Sequence, residues 1–153
     1  MVSWGLSSRS STRVLRFRDE RVTGDEEADW LADVLVRIEK EETFFLIAEV
    51  DGRVVASSDI DRRKGYERHV GVVGIGSGKE FRGLGIGIAM MYVVLQQERE
   101  MGLRILTLSA FASNRRAIHV YEKVGFFETG LMSKKYFKEG RYIDEVIMTK
   151  LSE

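Results

Sequence analysis

The chain of 153 residues contains no cysteine and no proline, and its 24 basic and 24 acidic side chains give a formal net charge of zero. Without cysteine it has no disulfide framework, no thiolate zinc site and no cysteine nucleophile that could carry an acyl group. Without net charge, no global field attracts nucleic acid or an acidic membrane. We therefore expect neither partner, and with only two histidines we expect no metal site.

Long apolar runs are also missing from this sequence. No run reaches about 18 residues, and the segment from Met1 to Arg13 lacks the apolar core of a signal peptide. We expect a cytoplasmic protein with a flexible leader over residues 1–12. The remaining residues, 13–153, have the length of a single domain with its own core.

Apolar periodicity and turn residues predict an alternation of strands and helices. The Asp51-Gly52 pair predicts a hairpin, because this dipeptide suits the tight turn between two antiparallel strands. Strands are predicted over residues 13–18, 44–50, 54–60, 69–77, 105–111, 126–137 and 142–151, and helices over residues 25–38, 85–101 and 114–125. This order predicts an α/β (α+β) domain with a central, mostly antiparallel sheet and one parallel pair around the helix at residues 85–101.

The most informative segment is Arg82-Gly83-Leu84-Gly85-Ile86-Gly87, between a predicted strand and an apolar helix. Glycines let the backbone approach a ligand closely, and the N–H groups at a helix N-terminus attract an anion. The segment matches neither a P-loop nor a dinucleotide-binding fingerprint. It therefore predicts a phosphate cradle of another kind. The glycines of the preceding strand indicate either a bulge or the close approach of a ligand.

Two motifs resemble those of the general-control-related N-acetyltransferase (GNAT) superfamily. Arg82, Gly85 and Gly87 match Gln/Arg-x-x-Gly-x-Gly/Ala, and Asn114 to Phe126 match Asn-x-x-Ala-x-x-x-Tyr-x-x-x-Gly-Phe. The resemblance covers about residues 43–150, with both motifs in order and at the family's spacing. It implies a GNAT-like central mixed, mostly antiparallel twisted sheet of six to seven strands, flanked by three to four helices. It also implies transfer of an acetyl group from acetyl-CoA to a primary amine, by direct attack in a ternary complex.

The resemblance implies a set of residues that bind acetyl-CoA. Main-chain groups at the end of the strand predicted over residues 69–77 contact the pantetheine arm and the thioester. The glycine segment surrounds the pyrophosphate, and Arg82 is the cation beside it. These candidates are Ile75, Gly76, Ser77, Arg82, Gly83, Leu84, Gly85, Ile86, Gly87 and Ile88. Asn114 either touches the pantetheine or caps its helix, and the two roles can coexist.

The resemblance also implies catalytic residues. Tyr121 matches the family's tyrosine and is predicted to be the general acid, because a phenol with a pKa near 10 holds its proton at neutral pH. The alternative is that Tyr121 is only a half-buried aromatic residue on the apolar face of its helix. In the branch that acetylates N-terminal alanine, a glutamate stands where this chain has Ser109. In the histone-lysine branch a glutamate stands at the position of His69, which is our candidate base. The alternative is that His69 is only an exposed residue at the strand edge, and that Glu67, Asp59 or a water chain acts as the base.

Two other functions remain open at this point. The missing glutamates favour a non-catalytic acyl-CoA sensor, and the glycine segment alone would also suit a nucleotide-binding protein. The sequence does not identify the amine acceptor, which is a protein N-terminus, a lysine or a small molecule. We expect a homodimer formed through the sheet edge or the final hairpin.

Overall fold

The structure is a computed structural model, and it describes residues 42–50, 53–77 and 85–152. These residues form six strands and two α-helices, with one short 3-10 turn at Gly65–Glu67. The elements are β1 (Thr43–Val50), β2 (Arg53–Arg62), β3 (Val70–Ser77), α1 (Ile86–Glu100), β4 (Ile105–Phe111), α2 (Arg115–Lys123), β5 (Phe127–Lys138) and β6 (Arg141–Leu151).

All six strands belong to one sheet, in the order β1-β2-β3-β4-β6-β5. Every neighbouring pair is antiparallel except β3 and β4, which are parallel and are connected through α1. A parallel pair needs such a crossover, because its second strand must begin at the same end of the sheet as the first. The predicted fold class, a mixed and mostly antiparallel sheet with flanking helices, is confirmed.

The main hydrophobic core lies on one face of the sheet. Ile60, Val73 and Leu106, from the three central strands, pack in one cluster with Met91 of α1 and Ile118 of α2. Both helices therefore cover this side, which we call the helix face. The alternate residues of the same strands point to the opposite side, the far face. Far-face residues include Asp59 of β2, Gly74 of β3, Ser109 of β4 and Glu145 of β6.

Most predicted boundaries lie within one or two residues of the observed ones. The strand predicted over residues 105–111 matches β4 at both ends. The strand expected to begin at His69 begins at Val70, because His69 lies in the turn before it. The leader, the strand over residues 13–18, the helix over residues 25–38 and the Asp51-Gly52 turn lie outside the described residues. Neither described helix is long and apolar enough to cross a membrane.

Candidate active site

The parallel strands β3 and β4 separate soon after they begin. They pair over three residues, from Val70 with Ile105 to Val72 with Thr107. Beyond that point β3 pairs only with β2 as far as Ser77, and β4 pairs only with β6 as far as Phe111. A wedge therefore opens in the middle of the sheet, between residues 73–77 and 108–111. Main-chain groups along both walls are available to a ligand.

The glycines of β3 serve different purposes. Gly71 is a packing position, because a Cβ atom there would lie 2.7 Å from Leu103 Cδ1 and 2.9 Å from Ile60 Cγ2. At Gly74 a Cβ would lie 2.6 Å from Asp59 Oδ1, whereas none of the described atoms lies within 4 Å of one at Gly76. The register of β3 against β2 is continuous, so β3 has no bulge there. The two predicted reasons for these glycines were a bulge and the close approach of a ligand. Gly76 fits the second reason, because the space above it is open among the described atoms. Gly71 fits neither, because it is needed for packing.

The N-terminus of α1 lies directly after the glycine segment. Gly85 is the N-cap residue, with φ of 76°, a left-handed conformation that a side chain would make costly. Gly85 has no side chain that could cap this end, and among the described residues no other side chain accepts from the first N–H groups of α1, which suits an anion. Gly87 has no described atom within 4 Å of a Cβ position. Among the other predicted pyrophosphate contacts, Arg82, Gly83 and Leu84 lie outside the described residues.

Tyr121 lies on the buried side of α2, in the core cluster that also contains Leu108. Ile75 and Ala110, the helix-face residues on the two wedge walls, pack against the same cluster. The Tyr121 ring is 6% exposed and tilted against Phe126, with centroids 6.2 Å apart. Burial raises the pKa of Tyr121 to about 12. The phenol therefore keeps its proton at neutral pH.

The surroundings of the Tyr121 hydroxyl distinguish it from an ordinary core aromatic residue. Every fully buried side-chain nitrogen or oxygen in the described part of the chain has a hydrogen-bond partner. No such partner is found for the Tyr121 hydroxyl within that part. The oxygen is therefore within reach of solvent while its ring is buried. This is the arrangement that a proton donor to a bound molecule needs.

Asn114 caps α2, as one of its two predicted roles requires. Its side-chain Oδ1 accepts a hydrogen bond from the Ala117 N–H at 3.2 Å. Because the oxygen faces the helix, the side-chain Nδ2 points to the solvent side as a donor. The cap is therefore confirmed, and contact with the pantetheine stays a prediction.

His69 lies at the other end of β3 from the wedge. Its side chain is exposed, and its carbonyl accepts hydrogen bonds from the N–H groups of Arg104 and Ile105, where β4 begins. At 3.3 Å per residue, His69 lies about 20 Å along the strand from Ile75. Glu67, in the preceding turn, is exposed at this same end. The structure therefore does not bring His69 or Glu67 to the wedge.

A polar cluster on the far face was missed at the sequence level. Glu145 is 4% exposed and accepts hydrogen bonds from Lys135 Nζ at 2.6 Å and Tyr136 Oη at 2.8 Å. Ser109 lies on the same face of the neighbouring strand β4. The hydrogen bond from Lys135 holds the pKa of the Glu145 carboxyl below its ordinary value despite burial. Glu145 therefore stays ionised beside the wedge.

An irregularity of β5 builds this cluster. The register of β5 against β6 shifts between Met132 and Tyr136, and Lys134 has a φ of 56°. The Lys134 N–H donates to Asp144 Oδ1 at 2.7 Å, which stabilises this conformation. Such an irregularity re-aims the side chains that follow it, here Lys135 and Tyr136. It depends on strand register, and no local sequence signal indicates it.

Comparison with known proteins identifies the family. The model of the Acetyltransferase (GNAT) family matches residues 10–126. This chain belongs to that family. An L-amino acid N-acetyltransferase of Escherichia coli (strain K12) is 30% identical over 108 residues, which are 69% of this chain and 67% of that relative.

Solved structures show the GNAT fold. An acetyltransferase of the GNAT family from Streptococcus pneumoniae has a TM-score of 0.76 and 25% identity, covering 86% of this chain and 78% of that one. A phosphinothricin acetyltransferase from Sinorhizobium meliloti, solved with acetyl-CoA, has a TM-score of 0.71 and 22% identity. It covers 80% of this chain and 68% of its own.

Proposed function

We propose that this protein is an N-acetyltransferase that moves the acetyl group of acetyl-CoA to a primary amine, without a covalent enzyme intermediate. The observation that carries the proposal is the wedge between β3 and β4, which opens beside the uncapped start of α1. A long, flexible pantetheine arm fits an opening lined by main-chain groups. A diphosphate fits a helix N-terminus preceded by glycines.

The residues present fit acetyl-CoA. Main-chain groups of Ile75, Gly76 and Ser77 would hold the pantetheine, since none of the described atoms fills the space above Gly76. The N–H groups of Ile86, Gly87 and their neighbours would hold the pyrophosphate, with Arg82 as a cation. When bound, acetyl-CoA supplies an activated acyl group as a thioester. Positioning that group against the amine accounts for much of the expected rate enhancement.

Tyr121 is the proposed general acid. Its Oη carries a proton at neutral pH because burial raises the pKa to about 12. It belongs to the helix-face cluster against which Ile75 and Ala110, one from each wedge wall, pack. A phenol can donate to a departing thiolate because it still carries its proton when negative charge develops beside it, although the raised pKa makes it a weaker acid than a free tyrosine. Attack by the amine then needs no cysteine, in accord with a sequence that contains none.

The L-amino acid N-acetyltransferase among the relatives supports a small-molecule acceptor as the first class to test. The acceptor panel therefore begins with L-amino acids. Peptides with a free N-terminus, lysine peptides, polyamines and aminoglycosides follow as the other classes of primary amine.

Two measurements test the proposed function. Calorimetry should show binding of acetyl-CoA and CoA but not of ATP. Binding of ATP without CoA would refute the proposal in favour of a nucleotide-binding protein. Thiol release from acetyl-CoA should then depend on at least one amine of the panel. A flat response to every amine, with acetyl-CoA bound, would indicate a sensor instead of an enzyme.

A further inference from the structure

The proposed function leaves the proton of the amine without an acceptor. A lysine-like amine with a pKa near 10.4 is about 99.9% protonated at pH 7, so it needs a base before it can attack. Ser109 cannot take the proton, and His69 lies at the far end of β3. Glu145 is held ionised by Lys135, and its lowered pKa makes it a poor proton acceptor. The base must lie elsewhere on the walls of the wedge.

Asp59 lies on β2, next to the wedge wall formed by β3, on the far face. It is the β2 partner of Gly74, and its carboxylate covers that glycine so closely that a Cβ would lie 2.6 Å from Oδ1. Gly74 is the second residue of β3 after pairing with β4 has ended. The missing side chain therefore lets the Asp59 carboxylate lie directly on the main chain of the wedge.

Ser109 lies level with Gly74 on the other wall. The parallel register pairs Val72 with Thr107, so two residues further along Gly74 is opposite Ser109. Both belong to the far face. Ser109 is exposed although β4 is a central strand, so the far face is open at this level. Glu145 lies on the same face of the neighbouring strand β6, beside the end of this wall, where it is the partner of Phe111.

We propose that Asp59 is the general base, and that Ser109 positions the acceptor amine opposite it. This inference rests on the proposed function and adds its acceptor subsite. The described charged side chains of the far face near Asp59 are Asp61 on the same strand and the Glu145–Lys135 pair across the wedge. Tyr121 belongs to the core cluster of the helix face. The proposed acid and the proposed base thus lie on opposite faces of the sheet.

The protons and bonds balance as follows. Asp59 takes one proton from the ammonium group, and the amine nitrogen gains a lone pair. The new N–C bond forms as the thioester C–S bond breaks, and Tyr121 gives its proton to the departing sulfur. The nitrogen releases its second proton, which returns through water to Tyr121. Asp59 passes its proton to solvent, so one proton is released in each turnover.

The test is Asp59→Asn, assayed with acetyl-CoA and the panel amine that gives the highest turnover. We expect turnover at pH 7 to fall about 100-fold, the usual contribution of a general base. Calorimetric affinity for acetyl-CoA should stay within twofold. The deficit should shrink as the pH rises toward the pKa of the amine, because the neutral amine then forms without a base. A purely structural role would not produce this pH dependence.

Asp61→Asn is the matched control, because Asp61 lies on the same strand and face where β3 and β4 are still paired. It should keep turnover within twofold of the unmodified protein. The inference is overturned if Asp59→Asn keeps turnover within threefold, if both variants lose the same amount, or if the deficit is independent of pH.

A second variant covers the case in which Asp59→Asn does not fold. Gly74→Ala should displace the carboxylate, because the added methyl group would lie 2.6 Å from Asp59 Oδ1. We expect turnover to fall at least tenfold. Gly130→Ala is its control, since a Cβ there meets Ile147 at an ordinary 3.5 Å. Equal turnover in these two variants would overturn the inference.

The proposed function and this inference fail in distinguishable ways. If the unmodified protein releases thiol with no amine of the panel, the acetyltransferase proposal fails and the inference fails with it. If the unmodified protein is active and Asp59→Asn is equally active, only the inference fails.

Discussion

At the level of single residues, Tyr121 combines a buried ring with a hydroxyl that has no partner in the described part of the chain. Tyr121→Phe removes only that oxygen. We expect turnover to fall by about 10² to 10⁴, the usual contribution of a general acid. Acetyl-CoA affinity should change less than threefold. Steady-state thiol release and calorimetry measure the two quantities.

Tyr142→Phe is a suitable control for this prediction, because Tyr142 is an exposed tyrosine of the final hairpin. It should leave turnover unchanged. If Tyr121→Phe also leaves turnover unchanged, Tyr121 is a core residue and the thiolate leaves without its help.

The raised pKa of Tyr121 also predicts how stability depends on pH. The phenol ionises near pH 10 in the unfolded chain and at about pH 12 in the folded protein. The stability that this group contributes is therefore fully present below pH 10 and is lost as the pH rises toward 12. Urea unfolding between pH 9 and pH 11.5 should show a steeper loss of stability for the unmodified protein than for Tyr121→Phe. Parallel curves would contradict the assignment.

At the level of elements, substitutions of the glycines in β3 and α1 should affect stability and acetyl-CoA affinity separately. Gly87→Ala places a methyl group in the first turn of α1, where none of the described atoms lies within 4 Å. We expect it to leave stability unchanged or raise it by about 0.5–1 kcal/mol, because glycine is the poorer helix former. Acetyl-CoA affinity should fall at least tenfold, since the methyl group occupies the proposed path of the pyrophosphate.

Gly71→Ala should show the opposite pattern. Its methyl group would meet Leu103, Ile60 and Leu106 at 2.7 to 3.0 Å, so we expect a loss of about 1–3 kcal/mol from overpacking. Acetyl-CoA affinity should be nearly unchanged, because Gly71 lies where β3 and β4 are still paired. Denaturant unfolding and calorimetry on both variants check the pair of predictions. Equal losses of affinity would mean that the glycines do not divide these tasks.

The elements themselves were predictable because their signals are local. Alternating apolar residues indicated β4, and Asn114 before a helical stripe indicated the start of α2. The far-face contacts were not predictable, because they depend on which residues of separate strands lie side by side. Glu145 lies on the same face as Ser109 only through the register of β6 against β4, and Lys135 reaches Glu145 only through the irregularity in β5. His69 was a misleading candidate for the same reason, because its position in the sequence did not show that it lies at the end of β3 away from the wedge.

At the level of the whole molecule, a buried carboxylate connects α1 to the last strand. Glu98 is 1% exposed, accepts a hydrogen bond from the Ser152 hydroxyl and lies 3.8 Å from Lys150 Nζ. Glu98→Ala should lower the free energy of unfolding by about 1–3 kcal/mol, because these donors lose their acceptor. Urea unfolding measures the change. Glu100→Ala, at an exposed position of the same helix, should change it by less than about 0.5 kcal/mol. If both substitutions lowered the free energy of unfolding equally, the contacts of Glu98 with Ser152 and Lys150 would not contribute to stability.

The early end of β3–β4 pairing divides the sheet into two leaves of three strands, β1-β2-β3 and β4-β6-β5. Three residue pairs join the leaves in the register of β3 and β4, and described residues of both helices pack across them on the helix face. We expect acetyl-CoA bound in the wedge to contact both leaves and to restrain their relative motion. Binding of the acetyl donor should therefore stiffen the sheet as well as deliver the acetyl group.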